Sequence, residues 1–308
     1  MNTNTYKKDF SSIGIRMLIS SAVIILLQIG TQAFALALFP QWQENYNILL
    51  AVTMVPLYVL GFPISFVLMR NKDVPAIEKH RMSAGQLVVS FLISYGLMII
   101  GNLIGLGLTA GIGLIKGTPV QNALLNVITD GSIWVTAIFT VLCAPVFEEI
   151  LFRKLICDKV IKYGEGCAVV LSGLIFGLFH MNFNQFFYAF FLGCFFAFIY
   201  VKTGRLKYTI LLHMTINFFG SVLGGILLQL DQAKPSSVII SAVYSLCVFG
   251  IAIAGIVTLI VKRRAMTVSP GEIVIEKGQR FKTMILNVGM ALYCLIFLGI
   301  MLVQAFFA

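Results

Sequence analysis

Long apolar segments alternate with short polar loops along most of the chain. A helix of about 20 apolar residues is long enough to cross a hydrocarbon core of roughly 30 Å. The segments that meet this length, some interrupted by Gly or Pro, are 13–39, 46–69, 87–115, 131–147, 167–181, 185–201, 208–229, 237–261 and 283–307. The pattern therefore predicts an all-α fold, a polytopic membrane bundle of about nine transmembrane helices.

The amino-acid composition excludes a water-soluble protein. Apolar residues make up 59% of the 308 residues, and charged residues make up only 11%. Soluble domains contain about 45–50% apolar and about 25% charged residues. The lipid bilayer is therefore the predicted surrounding of most of the chain.

Lys and Arg are distributed unevenly between the two sides of the predicted bundle. When the loops are assigned alternately to the two sides, all of these residues except Lys116 and Lys234 fall on the side of the N-terminus. Since basic loops stay in the cytoplasm, we expect a cytoplasmic N-terminus and an external C-terminus. The basic residues are spread over short loops, so the net charge of +10 does not indicate nucleic acid as a partner.

The basic inner face also bears on location. The sequence contains no organelle signal that we recognise, and we therefore expect a multi-pass protein of a cell membrane, the plasma membrane of a bacterium. We divide the chain into N-terminal helices and a cytoplasmic loop (1–86), a central helical core (87–230) and C-terminal helices (231–308). Nothing in the sequence predicts an oligomeric state.

Few ionisable residues lie within the apolar segments, and each is costly at membrane depth unless it is paired or faces a polar cavity. They are Glu148, Glu149, Arg153, His180 and His213. Glu149 and Arg153 are four residues apart, with the acid first, which favours an ion pair on a helix. Glu148 is rotated by about 100° from Glu149, so it is free to face a cavity as a general base. The alternative is that Glu148 and Glu149 lie at a helix end and extend towards the aqueous interface.

Two further pairs place polar groups on helix faces at the same spacing. Phe176 and His180 share one face, and His213 and Asn217 share another. Taken alone, His180 could be an ordinary core histidine, and the second pair could be hydrogen bonds between helices. Together with the extra carboxylate they favour one site. His80, in a basic loop, is interpreted as a surface residue.

The order of these residues has a counterpart in a known family. The three motifs are Glu148-Glu149-x-x-x-Arg153, Phe176-x-x-x-His180 and His213-x-x-x-Asn217. In this order they resemble the signature of the CPBP family, which comprises type II CAAX prenyl proteases and bacterial bacteriocin-processing, or Abi, membrane proteins. The resemblance covers roughly residues 130–225.

The resemblance implies an intramembrane peptidase that acts on a membrane-associated peptide or protein. In that family pattern, Glu148 and His180 activate a water, and His213 and Asn217 donate to the oxyanion. Glu149, Arg153 and Phe176 would support them. Two alternatives stay open: a non-catalytic scaffold or bacteriocin-immunity protein of the same fold, and a proton-coupled transporter.

We expect no cofactor, with zinc as the alternative. His180, His213 and Glu148 are residue types that catalytic zinc sites use. The two histidines come from different predicted helices, however, and Asn217 is a poor zinc ligand. The sequence therefore favours hydrolysis without a metal.

Three local features predict details of packing. Pro145 lacks an N–H, so we expect a helix to end there and another to begin. Gly101 and Gly105, like Gly107 and Gly111, are small residues four apart that favour close contact between helices. The aromatic residues of segment 185–201 are expected to be lipid-facing and packing bulk, although they could line a substrate groove.

Overall fold

The structure, a computed structural model, describes residues 3–71, 74 and 77–307, and these contain helices but no strand. The principal helices are α1 (Thr3–Leu38), α2 (Tyr46–Met69), α3 (Ala84–Lys116), α4 (Ala123–Asp130), α5 (Ile133–Tyr163), α6 (Glu165–Phe179), α7 (Phe183–Thr203), α8 (Leu206–Leu228), α9 (Pro235–Lys262) and α10 (Val288–Phe307). Within the described residues, eight of these are long and apolar enough to cross a membrane. The chain is thus an all-α, multi-pass membrane protein, as predicted.

Helix α6 accounts for the difference between eight spans and the nine expected. It covers the predicted segment 167–181, but it has only 15 residues, fewer than a transmembrane helix needs. It ends at Phe179, and α7 begins at Phe183. The residue after α6, His180, lines an internal cavity, so this helix ends inside the bundle.

The basic loops meet at one end of the bundle. Lys162, in the last turn of α5, pairs with Asp9 of α1 at 2.6 Å. Lys202 of α7 pairs with Glu165 of α6 at 2.5 Å, and the same carboxylate accepts a bond from the Ser269 backbone N–H at 2.7 Å. Loops that the alternating assignment placed on one side are therefore close in space, while the orientation in the membrane stays a prediction.

The expected break at Pro145 is wrong, because α5 continues from Ile133 to Tyr163. Two stretches of this helix, Ala137–Cys143 and Glu149–Cys157, are wound as π-helix. A π-helix bonds over five residues instead of four. Proline has no N–H and cannot donate the usual backbone hydrogen bond of a helix. Because the turn before Pro145 is wider, the helix does not need that hydrogen bond there. The helix therefore continues through Pro145.

Helix α7 is the centre of the bundle and is the most buried of the eight spans. It packs against α6 on one side and α3 on the other. Its aromatic residues are buried or half-buried, so the expected packing role is correct, while their contact with lipid stays a prediction. Tyr188 lines a cavity.

The glycine pattern of α3 explains its contact with α7. A Cβ atom at Gly101 would lie 2.4 Å from the Tyr188 Cα, and one at Gly105 would lie 2.8 Å from the Phe183 carbonyl oxygen. Gly107 and Gly111 have open space instead. Only the first glycine pair therefore sets the distance between α3 and α7.

We expect Gly101→Ala to destabilise the protein by about 1–3 kcal/mol, the usual cost of overpacking, since its new methyl group meets backbone atoms of α7. Gly107→Ala, on the same helix but in open space, is the matched control. Thermal unfolding of both purified variants in detergent measures the difference. Equal unfolding temperatures would contradict the close contact.

Candidate active site

A cavity of about 290 Å³ lies between α2, α5, α6, α7 and α8. All four predicted catalytic residues line it, and Phe176 lines it with them. The residues are Glu148, Phe176, His180, His213 and Asn217. The structure therefore brings the three motifs together around one internal space, although they come from separate helices.

The ion pair predicted from sequence spacing forms behind this cavity. Arg153 Nε lies 3.0 Å from Glu149 Oε2, and Arg153 Nη2 donates to Glu149 Oε1 at 3.1 Å. Both side chains are 0% exposed. The guanidinium also donates to Ser172 Oγ at 3.2 Å and lies over the Phe176 ring, 4.6 Å from its centroid. Two buried charges are thus neutralised together, and Glu149 is held away from the cavity.

His213 lies between the two adjacent glutamates. Its Nδ1 is 3.0 Å from Glu149 Oε1, and its Nε2 is 3.7 Å from Glu148 Oε2. Since an ionised carboxylate only accepts hydrogen bonds, Nδ1 carries a proton and donates to Glu149. The ring nitrogen left for chemistry is Nε2, on the side of Glu148.

The tautomer of His180 follows from its backbone contact. Its Nδ1 lies 2.9 Å from the Phe176 carbonyl oxygen. A carbonyl only accepts, so Nδ1 is the protonated nitrogen and Nε2 keeps its lone pair. The Phe176 ring stands edge-on to the imidazole, with 4.9 Å between centroids. His180 can therefore accept a proton or a hydrogen bond through Nε2.

The turn that follows His180 is held by a residue that the sequence analysis did not identify. Asn182 donates through Nδ2 to the His180 carbonyl oxygen at 2.7 Å and accepts from the Gln185 backbone N–H at 2.9 Å. Met181, between them, has a φ of 57°, which is uncommon for a residue with a side chain. Asn182 and Gln185 form the Asn-x-x-Gln pattern of a helix start, a signal that could have been found.

Asn217 is fixed by a carbonyl from a π-helical turn. Its Nδ2 donates to the Thr140 carbonyl oxygen at 2.7 Å, and Thr140 belongs to the π-helical stretch Ala137–Cys143. Such turns are frequent at functional sites, because they change which carbonyls are available. An amide nitrogen has two hydrogens, so one N–H of Asn217 is left for the cavity.

Two tyrosines complete the cavity wall. Tyr58 of α2 donates to the Phe139 carbonyl oxygen at 3.1 Å, and the Tyr188 hydroxyl accepts from Gln185 Nε2 at 2.8 Å. Both line the cavity. Tyr58 lies outside the region 87–230 that we assigned to the core, and no motif in α2 distinguishes it. The division into three regions stays a prediction.

The side chains that could bind a metal do not converge as a ligand set. Among the residues that the structure describes, no three His, Cys, Asp or Glu side chains are grouped closely enough to bind a metal ion together. His213 uses Nδ1 for Glu149. The effect of a strong chelator on cleavage distinguishes the zinc alternative, with His180, His213 and Glu148 as ligands, from hydrolysis without a metal.

Comparisons with known proteins find a family match over the region that contains this site. Residues 130–219 match the family model described as "Type II CAAX prenyl endopeptidase Rce1-like". Over 108 residues, the chain is 32% identical to a protein of Bacillus subtilis (strain 168) named "Putative membrane peptidase YdiL". That alignment covers 35% of this chain and 43% of the relative, so the chain spans less than half of the relative's length. No solved structure matches the chain significantly.

The family match and the three motifs coincide along the chain. The matched residues, 130–219, include every motif residue from Glu148 to Asn217. These are also the residues that converge on the cavity or support it. Residues 130–219 of this chain are therefore similar to the Rce1-like family of type II CAAX prenyl endopeptidases, and the similar region is the one that forms the cavity.

Proposed function

We propose that this protein is an intramembrane endopeptidase that hydrolyses peptide bonds of membrane-associated peptides or proteins. One observation carries the proposal: Glu148, His180, His213 and Asn217 line a single cavity within a bundle of apolar helices. Polar residues at membrane depth are costly, and their convergence favours chemistry over packing. The Rce1-like match supports the same reaction class.

In the proposed mechanism, Glu148 is the general base. Its side chain is 15% exposed and lines the cavity, whereas Glu149 is 0% exposed and paired with Arg153. The Glu148 carboxylate takes a proton from a water as the water oxygen bonds to the substrate carbonyl carbon. It then returns that proton to the amine nitrogen as the C–N bond breaks. His180 Nε2 accepts a hydrogen bond from the same water and orients it.

Asn217 and His213 stabilise the oxyanion in this proposal. Asn217 has one N–H beyond the one given to Thr140. His213, when protonated on both nitrogens, donates from Nε2 as well as from Nδ1. An oxyanion donor contributes roughly 3–4 kcal/mol in other acyl-transfer sites. The contact of His213 with both glutamates supports a second role, which is to balance their charge.

The substrate is proposed to be a small membrane-associated peptide or a membrane protein segment, in the plasma membrane of a bacterium. Part of the cavity wall is apolar, with Leu50, Met54 and Leu57 of α2 among its residues. An apolar wall favours apolar side chains next to the cleaved bond. Hydrolysis by Glu148 requires no metal.

The test is cleavage by the purified full chain in detergent, with a library of apolar peptides and mass spectrometry of the products. We expect wild-type cleavage to persist with a strong chelator. We expect His180→Ala to slow cleavage at least about 10²-fold, the usual contribution of acid–base groups. His80→Ala is the matched control, because the side chain of His80 is 56% exposed in a loop. Intact peptides with folded wild-type protein would refute the proposal, and loss of cleavage on chelation would favour zinc.

A further inference from the structure

A second cavity, of about 240 Å³, adjoins the first. The two share Gln185, Tyr188, Asn217 and Ser221 as a common wall. Glu148 and the two histidines line only the first cavity. Asn217 therefore stands at the boundary between the reaction centre and a second space, where a substrate could extend past the cleaved bond.

The second cavity differs from the first in chemistry. Its wall is rich in neutral polar groups, the side chains of Asn102, Asn122, Asn184, Gln185, Asn217 and Ser221. Among the lining residues that the structure describes, none is charged. Three of these amide nitrogens donate to partners within the protein, and each amide nitrogen has a second N–H. The lining therefore suits a ligand group that is polar and uncharged.

Two features indicate that the polar groups of this wall have defined positions and could bind a ligand. Asn184 of α7 donates through Nδ2 to the Gln121 carbonyl oxygen at 3.1 Å, which fixes the loop before α4 against α7. The neighbouring Asn122 has a buried Oδ1 to which no described residue donates a hydrogen bond. A buried acceptor left in this state is destabilising, and a donor on a bound ligand would satisfy it.

We propose that the second cavity is a substrate subsite for a neutral polar side chain that bears a donor, such as Asn, Gln, Ser or Thr. This side chain lies on one side of the cleaved bond, and an apolar side chain lies on the other side in the first cavity. Asn122 Oδ1 accepts its hydrogen bond, and Asn102 of α3 contacts it from the opposite helix. The inference rests on the proposed peptidase function and adds a substrate preference to it.

The experiment uses the purified full chain and peptides with one mapped cleavage bond. Each flanking position carries Asn, Thr or Leu in turn, and kcat/KM is measured for every peptide. We expect one position at which Asn or Thr is cleaved at least about tenfold faster than Leu, because a site built for a hydrogen bond rejects an analogue that lacks it. We expect Asn102→Leu and, separately, Asn122→Ala to reduce this ratio below about threefold.

Leu103→Ala is the matched control, since Leu103 is next to Asn102 on α3 but is 59% exposed, and it should keep the wild-type ratio. Thermal unfolding of each variant identifies any loss of fold, and either asparagine variant alone suffices for the test. If no position shows the preference, or if the preference survives in both folded variants, the subsite is refuted while the peptidase function stands. If wild type cleaves no peptide, both proposals fail.

Discussion

Glu148→Gln is expected to reduce peptide cleavage by at least about 10³-fold and to leave the stability of the protein almost unchanged. Glutamine keeps the shape of the side chain but does not take the proton of the attacking water, and general acid–base groups contribute about 10²–10⁴-fold. The position is partly exposed to the cavity and has no guanidinium partner, so little folding energy depends on its charge. Steady-state cleavage and thermal unfolding of the same preparation measure both quantities.

The result discriminates between the peptidase and its rivals. A folded Glu148→Gln variant that cleaves at more than about a tenth of the wild-type rate would remove Glu148 from the role of base. In cells, a scaffold or immunity protein would keep its function in this variant. A transporter would instead accumulate substrate in proteoliposomes without cleaving it.

Some of the site follows from the sequence because it depends on one helix only. The Glu149–Arg153 ion pair and the shared face of Phe176 and His180 need only the four-residue repeat of a helix, and the structure contains both. The apolar segments likewise predict the helices, because bilayer thickness fixes their length. Local geometry is therefore the reliable part of the prediction.

Contacts between helices could not be predicted in the same way. That His213 lies between both glutamates depends on how α8 packs on α5. The bond from Asn217 to Thr140 depends on a π-helical turn, which changes the phase of the helix and carries no clear sequence signal. Tyr58 reaches the cavity from α2, a helix without any motif. These features depend on tertiary packing, and the local patterns of a single sequence do not predict which residues meet across helices.

Glu149→Gln is expected to destabilise the protein, whereas Glu148→Gln is expected to leave its stability almost unchanged. The expected loss is about 3–5 kcal/mol, the usual cost of leaving a buried charge without its partner. Glu149 bonds to both Arg153 and His213, and both members of its ion pair are 0% exposed. Its neutral replacement leaves the guanidinium of Arg153 uncompensated beneath the cavity. Thermal unfolding of the full chain in detergent, next to Glu148→Gln as the adjacent control, measures the loss.

Removing the second charge as well provides the decisive comparison. The double variant Glu149→Leu with Arg153→Met contains no buried charge at this place, and apolar replacement of a buried ion pair is often neutral or stabilising. We therefore expect it to regain most of the stability lost in Glu149→Gln. It should nevertheless cleave slowly, because His213 Nδ1 has lost the carboxylate that fixes its tautomer. If both single glutamate variants unfolded at the same temperature, the division of the two carboxylates into a structural and a catalytic one would be wrong.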